Sequence, residues 1–368
     1  MSEKVWIKIA RYYIKSGKLP IRVSNVITDI LKTLVTLEQA EFIAQLRKHS
    51  YNLEELKSVT GMDDVSLNTM LNDLMNIGVL TGIRSRRTGV TVYRKPPLFP
   101  GILEFTLMRG EKNEQTKKLA KLIGDFYEQI IHDTKVNYDQ MMVEFNKSPA
   151  PTRVIPIEEE IDTKEEVVLA YENLENILEQ YDTIGLSTCY CRHRKDLVGD
   201  PCVKTDERKN CLSLGGTAEF LIEHGFSEKI SREEALVILK KAEDGGLVHK
   251  AFHVNLEPER ELDGICNCCK CCCGTFEIHY GGGAPLMDIT SHVAKVDEDL
   301  CVGCETCVQE CNAEAIDMID NIAVIDEDRC IGCGVCAHLC PERAMKLERI
   351  PTRKAFSPPR GVKTEVKS

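Results

Sequence analysis

Residues 294–311 read AKVDEDLCVGCETCVQEC, and residues 323–340 read AVIDEDRCIGCGVCAHLC. The second stretch repeats the first 29 residues further on, and units this short pair to share one core. Cys301, Cys304, Cys307 and Cys311 form C-x2-C-x2-C-x3-C. Cys330, Cys333, Cys336 and Cys340 form it again, and Pro341 closes the second run. Three thiolates at two-residue intervals on one tight loop can reach three irons of a single cubane, while the fourth ligand cannot come from that loop. Gly303, Gly332 and Gly334 suit loops that must turn tightly beside the metal.

With these two runs the chain resembles the bacterial two-cluster ferredoxins over about residues 292–350. The resemblance implies a 2[4Fe–4S] domain in which the fourth cysteine of each run serves the other cluster. Cluster I would then sit on Cys301, Cys304, Cys307 and Cys340, and cluster II on Cys330, Cys333, Cys336 and Cys311. Asn312 departs from the pattern, standing where the second repeat has Pro341. Zinc also accepts four thiolates, but its knuckles pair two C-x2-C units. Two [4Fe–4S] clusters are therefore the expectation.

The chain has 18 cysteines, of which the first is Cys189. Ten lie outside the repeat. Cys189, Cys191, Cys202 and Cys211 fall in one segment, and Cys266, Cys268, Cys269, Cys271, Cys272 and Cys273 in the run CNCCKCCC. Ten thiols exceed the needs of one cluster. On an extended chain neighbouring side chains point to opposite faces, so Cys271, Cys272 and Cys273 cannot all face one metal. The expectation is that the two segments fold together around at least one further Fe–S cluster, with Cys191, Cys202 and Cys211 joined by a ligand from the second run. A tetrathiolate zinc site is the alternative, followed by a thiol run suited to soft metals. Cys272-Cys273-Gly274 is similar to the CCG signature of heterodisulfide-reductase-type subunits, but the cysteine spacings around it do not match. Arg192, His193, Arg194 and Lys195 directly follow Cys191; as positive charge beside a cluster they would stabilise its reduced form and could hold an anion, but a solvated basic turn is the favoured reading. His338, between two ligands of a complete set, reads as a packing or hydrogen-bonding residue.

The remaining sequence indicates an α+β multidomain protein. Residues 1–100 form a helical unit: amphipathic helix with a break at Pro20, then from Thr36 three helical stretches and two strand-like runs, VLTGIRS and VTVYRK. Over residues 36–96 this succession resembles a winged helix. Residues 101–150 hold a long helix, about 114–143, and a Pro-containing linker at 148–151. Residues 151–291 are a cysteine-rich α/β domain with a strand at 153–157 and a helix at 164–181. Ser231 and Glu234 form a capping box for a helix ending near Gly245-Gly246. Residues 292–350 are the ferredoxin-like domain, and residues 351–368 a basic tail without fixed structure. Gly281-Gly282-Gly283 reads as a flexible loop.

Composition bounds the function. The 368 residues are 43% hydrophobic and 29% charged, as in globular domains. No apolar run approaches the ~18–20 residues of a membrane span, and lysines interrupt the start as they would not in a secretory signal. A cytoplasmic protein with reduced, metal-binding thiols is expected. There is no C-x-x-C-H for haem, no phosphate-binding glycine motif and no recognisable catalytic triad or zincin motif. Net charge is −11, and residues 292–350 alone carry 5 Lys+Arg against 13 Asp+Glu. Such an acidic face steers basic partners.

These features predict an iron–sulfur electron-transfer protein passing single electrons between redox partners, as a subunit or dedicated partner of an anaerobic oxidoreductase rather than a stand-alone enzyme. The alternative is an Fe–S-sensing winged-helix transcription regulator. The helix at 63–77 offers Asp63, Asp64 and Asp73 without a Lys or Arg, which disfavours DNA as its partner, although the wing holds Arg84, Arg86, Arg87 and Arg94. Docking to a redox partner protein, or to a second copy as a homodimer, is the expected role of this unit.

Overall fold

A computed structural model describes residues 2–17, 19–85, 88–147, 150–161, 173–253 and 262–350. The basic tail, residues 164–172 of the expected helix, Ser148-Pro149 of the linker, and Arg86 and Arg87 of the wing lie outside the described residues.

The N-terminal unit begins with helices Ser2–Gly17 and Asn25–Leu34, separated at Pro20. Helices Leu37–Gln45, Leu53–Thr60 and Asp64–Ile77 follow. Local chemistry sets their starts: Thr36 with Gln39 and Asn52 with Glu55 form capping boxes, and Asp63 accepts from the Val65 and Ser66 amides. Gly61 and Gly78, both left-handed, end two of them. Strands β1 (Ser50–Tyr51), β2 (Thr81–Arg84) and β3 (Thr91–Arg94) make an antiparallel sheet in the order β1-β3-β2. The two-residue β1 carries too little pattern to be seen in the sequence. The long helix breaks at Asn137 into Glu114–Val136 and Tyr138–Phe145.

The cysteine-rich region is built on a seven-stranded sheet. Its strands are β4 (Thr152–Ile155), β5 (Ile184–Thr188), β6 (Lys209–Leu214), β7 (Glu228–Ile230), β8 (Val248–Phe252), β9 (Gly264–Cys268) and β10 (Met287–Asp288). They lie in the order β10-β4-β8-β9-β6-β5-β7, antiparallel except for β10 with β4. Strand alternation sorts β9. Ile265 packs with Leu212, Leu214, Ala251, Ala235 and Leu239 on the face covered by the capped helix Arg232–Asp244, leaving Cys266 and Cys268 to the opposite face.

That opposite face meets the N-terminal unit. A single apolar cluster includes Tyr13, Ile30, Leu74 and Phe126 together with Cys191, Cys211 and Leu221. The core therefore runs continuously from the N-terminal helices into the cysteine-rich region. Helix Gly274–Gly282 packs on helix Glu114–Val136, and glycine is what permits it. A Cβ at Gly274 would stand 2.6 Å from the Tyr127 hydroxyl, and one at Gly282 would stand 2.9 Å from the Ile131 Cα. Gly281 and Gly282 are thus helical contact residues, not the flexible loop expected from GGG, because they admit a neighbouring backbone.

The C-terminal region pairs β11 (His292–Val296) with β14 (Met345–Arg349), and β12 (Ile316–Ile319) with β13 (Ile322–Ile325). Short helices Thr306–Glu310 and Val335–His338 follow the two cysteine loops. At Gly332, φ is +66° and a Cβ would meet Thr290 Oγ1 at 1.9 Å, so no other residue fits this loop.

Candidate metal centres

The duplicated segment folds around two separate cavities. One is lined by Cys301, Cys304, Cys307 and Cys340, the other by Cys311, Cys330, Cys333 and Cys336. The fourth cysteine of each run therefore lines the cavity of the other run. Equivalent amides point at the two crossing sulfurs: Ala315 N–H donates to Cys311 Sγ at 3.4 Å, and Ala344 N–H to Cys340 Sγ at 3.3 Å. Burial pushes Cys307 up to about 11 and Cys333 up to about 12. Such thiols stay protonated at neutral pH unless a metal's positive charge holds them as thiolates. Cys304 is exposed, whereas Cys330 and Cys336 are buried. The first cavity faces solvent and the second faces the body of the protein.

Asn312 explains its departure from proline. Its Oδ1 accepts the Lys270 amide at 2.9 Å, its Nδ2 donates to Gly246 O at 3.0 Å, and the Tyr280 hydroxyl donates to its carbonyl. A proline could make neither side-chain bond, so asparagine here fastens the second cavity's Cys311 loop to the central cysteine run. His338 adds a second tie, bonding Asp244 at 2.9 Å and Glu160 at 3.3 Å, the hydrogen-bonding role expected of it.

The ten other cysteines separate into six and four. The six, Cys189, Cys191, Cys211, Cys266, Cys268 and Cys273, stand around a partly open cavity between the sheet and the N-terminal unit, and Cys269 and Cys272 of the four also reach its wall. Neighbouring thiols influence one another's ionisation along the series Cys211, Cys266, Cys268, Cys273, Cys191 and Cys189. The expected grouping of Cys191, Cys202 and Cys211 is not what the fold produces. Cys202, on the loop beyond helix Tyr190–Leu197, bonds instead to Cys269 and Cys271. The CCC run also divides differently from an extended strand. Residues 270–272 form a turn, in which the Cys272 and Cys273 amides both bond Cys269 O. Cys271 and Cys272 therefore converge, and Cys273 departs as the N-cap of helix Gly274–Gly282.

The six-thiol cavity carries buried cations. Lys250 is 1% exposed, and its Nζ lies 3.8 Å from Cys273 Sγ and 2.8 Å from Thr275 Oγ1. Cross-strand pairing opposite Cys266 places it there. Arg192 is likewise 1% exposed, donating to Asn210 Oδ1, Asn267 O and Cys269 Sγ. The solvated basic turn is thus overturned at Arg192, His193 and Arg194, all buried. His193 donates to Glu111 O, and Arg194 pairs with Glu277 beneath the Tyr127 ring. Lys195 alone behaves as expected, pairing with Asp200 at the surface. Hydrogen bonds from Cys191 and Cys268, then Lys250, hold the Cys273 thiol well below its usual range. The Cys191 hydrogen bond, with Arg192 nearby, brings Cys189 down to about 6. Across the cavity burial raises Glu104 to about 7. The site suits a polyanionic thiolate-bound group, because two buried cations offset its charge.

Sequence reasoning missed Lys250 and Glu104. Neither sits in a motif, and only the folded sheet brings Lys250 opposite a cysteine.

Residues 294–347 match the family model of the 4Fe-4S dicluster domain. No curated protein and no solved structure matches the chain. The chain thus carries a 4Fe–4S domain near its C-terminus, which with the central cysteine group points to an iron–sulfur electron-transfer role. No helix among the described residues is long and apolar enough to cross a membrane.

Proposed function

We propose that this chain relays single electrons between redox partners, as a subunit or dedicated partner of an anaerobic oxidoreductase. The observation that carries the reading is the pair of cavities, each lined by three cysteines of one run and the fourth of the other. Two [4Fe–4S] clusters would occupy them, cluster I on Cys301, Cys304, Cys307 and Cys340, and cluster II on Cys311, Cys330, Cys333 and Cys336. When bound, such clusters exchange one electron at a potential set by burial and by hydrogen bonds to sulfur. The protein's part is positional. Exposed Cys304 gives a partner access to the first centre, and the Asn312 bonds hold the second against the central cysteines. The six thiols around the large cavity would carry a further Fe–S cluster, its charge offset by Lys250 beside Cys273 and by Arg192 near Cys189.

The succession of helices and the three-stranded sheet β1-β3-β2 in the N-terminal unit support the winged-helix expectation, and with it the regulator reading. The C-terminal end of its recognition-like helix, however, is fastened to the rest of the chain: Asn76 Oδ1 bonds His224 Nδ1 at 2.8 Å, and Arg109 donates to Asn76 O. Ile83 of β2 packs on Gly216. These contacts attach the unit to the central region, and the carboxylates Asp63, Asp64 and Asp73 on the helix favour partner or self docking over groove insertion.

The test is electron exchange between the reduced holo protein and a basic one-electron acceptor protein, followed by stopped flow. The second-order rate is expected to fall by roughly tenfold or more between low and high salt, since the acidic ferredoxin face steers the encounter. A salt-independent rate would contradict that assignment. Sequence-specific DNA binding lost on cluster oxidation would favour the regulator.

A further inference from the structure

Cys202, Cys269, Cys271 and Cys272 converge into a site of another kind at the edge of the large cavity, whose wall Cys269 and Cys272 share. Cys202 Sγ lies 3.7 Å from both Cys269 Sγ and Cys271 Sγ; Cys271 Sγ lies 3.4 Å from Cys269 Sγ and 3.6 Å from Cys272 Sγ. All four sulfurs fall within 4.8 Å of one another, and among the described residues no other group of three or more metal-binding side chains closes this far.

These separations discriminate between metal types. Four sulfurs bound at about 2.3 Å to one tetrahedral zinc stand about 3.8 Å apart. On a four-iron cubane each thiolate has its own iron, which spreads the sulfurs to about 6 Å. The ferredoxin thiols ring wider cavities without closing to this spacing, whereas these four sulfurs stand close enough to meet at one ion. We propose that Cys202, Cys269, Cys271 and Cys272 bind a single zinc ion in a closed tetrathiolate site, distinct from every Fe–S cluster of the chain.

The surroundings suit that ion. Cys202, Cys269 and Cys272 are buried with Ala242 and Leu247, with Cys271 half-buried beside them, an apolar surround suited to a four-coordinate ion. Four thiolates on one dication leave two negative charges, and Arg192 Nη2 donates to Cys269 Sγ at 3.5 Å to offset part of them. Binding exchanges four thiol protons, released to solvent, for the ion, with no electron transferred. The site joins the Cys202 loop to the turn at residues 270–272, whose Lys270 amide bonds Asn312. Zinc would therefore brace the joint between the central sheet and the ferredoxin-like region. This proposal does not depend on the electron-transfer reading, because it concerns zinc content and not iron.

The experiment is metal analysis and zinc X-ray absorption on the full-length protein, purified anaerobically and then reconstituted with excess iron and sulfide. About one zinc per chain with a four-sulfur shell is expected, and it should persist through reconstitution. Cys202→Ser and Cys271→Ser should each lower zinc at least fivefold while the ferredoxin EPR signals remain. Cys304→Ser should lower iron and leave zinc in place. Should the variants fail to fold, the wild-type absorption spectrum decides alone. Absence of zinc, a shell with fewer than four sulfurs, mononuclear ferric iron in its place, or zinc lost in Cys304→Ser but kept in Cys202→Ser would overturn the proposal.

Discussion

Replacing Cys340 with serine should remove cluster I and leave cluster II, although Cys340 belongs to the second cysteine run. Its sulfur lines the cavity of Cys301, Cys304 and Cys307 and accepts the Ala344 amide there. Iron should fall by about four per chain, and the spin coupling between neighbouring reduced clusters should disappear. Comparison with two further variants identifies the lost cluster. The spectrum left in Cys340→Ser should match that left in Cys304→Ser and differ from that left in Cys333→Ser. A match with Cys333→Ser would show that each run binds its own cluster, and the crosswise arrangement would fall.

The second large effect concerns the central cavity. Cys273 Sγ receives the Lys250 ammonium at 3.8 Å and bonds Thr275 Oγ1 at 3.1 Å, and Cys273 begins the helix locked against Glu114–Val136 by Gly274 and Gly282. Cys273→Ser should therefore empty the central cavity of its cluster, lowering iron by about four per chain, while the coupled ferredoxin spectrum remains. Lys250→Met should retain the iron but make the central cluster harder to reduce, because a buried cation that favours the added electron is gone. Iron content unchanged in Cys273→Ser, at about eight per chain, would mean that the six thiols hold no cluster.

The two cysteine runs were legible because their ligands are local: three of every four thiols lie within seven residues, and the repeat marks where the fourth belongs. The helix start at Ser231 was legible for the same reason, since its cap is completed within three residues, and the structure adds equally local caps at Thr36, Asn52 and Asp63. The ten other cysteines could be counted but not sorted. Their division depends on a turn at residues 270–272 and on pairings across a seven-stranded sheet, and neither is encoded at short range. The buried basic run failed as an expectation because exposure is the default for Arg and Lys. Only partners distant in sequence, Asn210, Asn267 and Glu277, reverse it. Gly281-Gly282 misled in the opposite sense. A glycine pair permits a loop, yet here it permits the close approach of Ile131.

The central claim is that the duplicated cysteine runs hold a pair of [4Fe–4S] clusters that exchange electrons. Quantitative iron and acid-labile sulfide determination on anaerobically purified protein, combined with low-temperature EPR after dithionite reduction, addresses it most directly. The account predicts at least about eight irons and eight sulfides per chain, with the spectrum of two interacting reduced cubanes. Protein lacking labile sulfide, with zinc alone on the ferredoxin cysteines and no reducible signal, would contradict it.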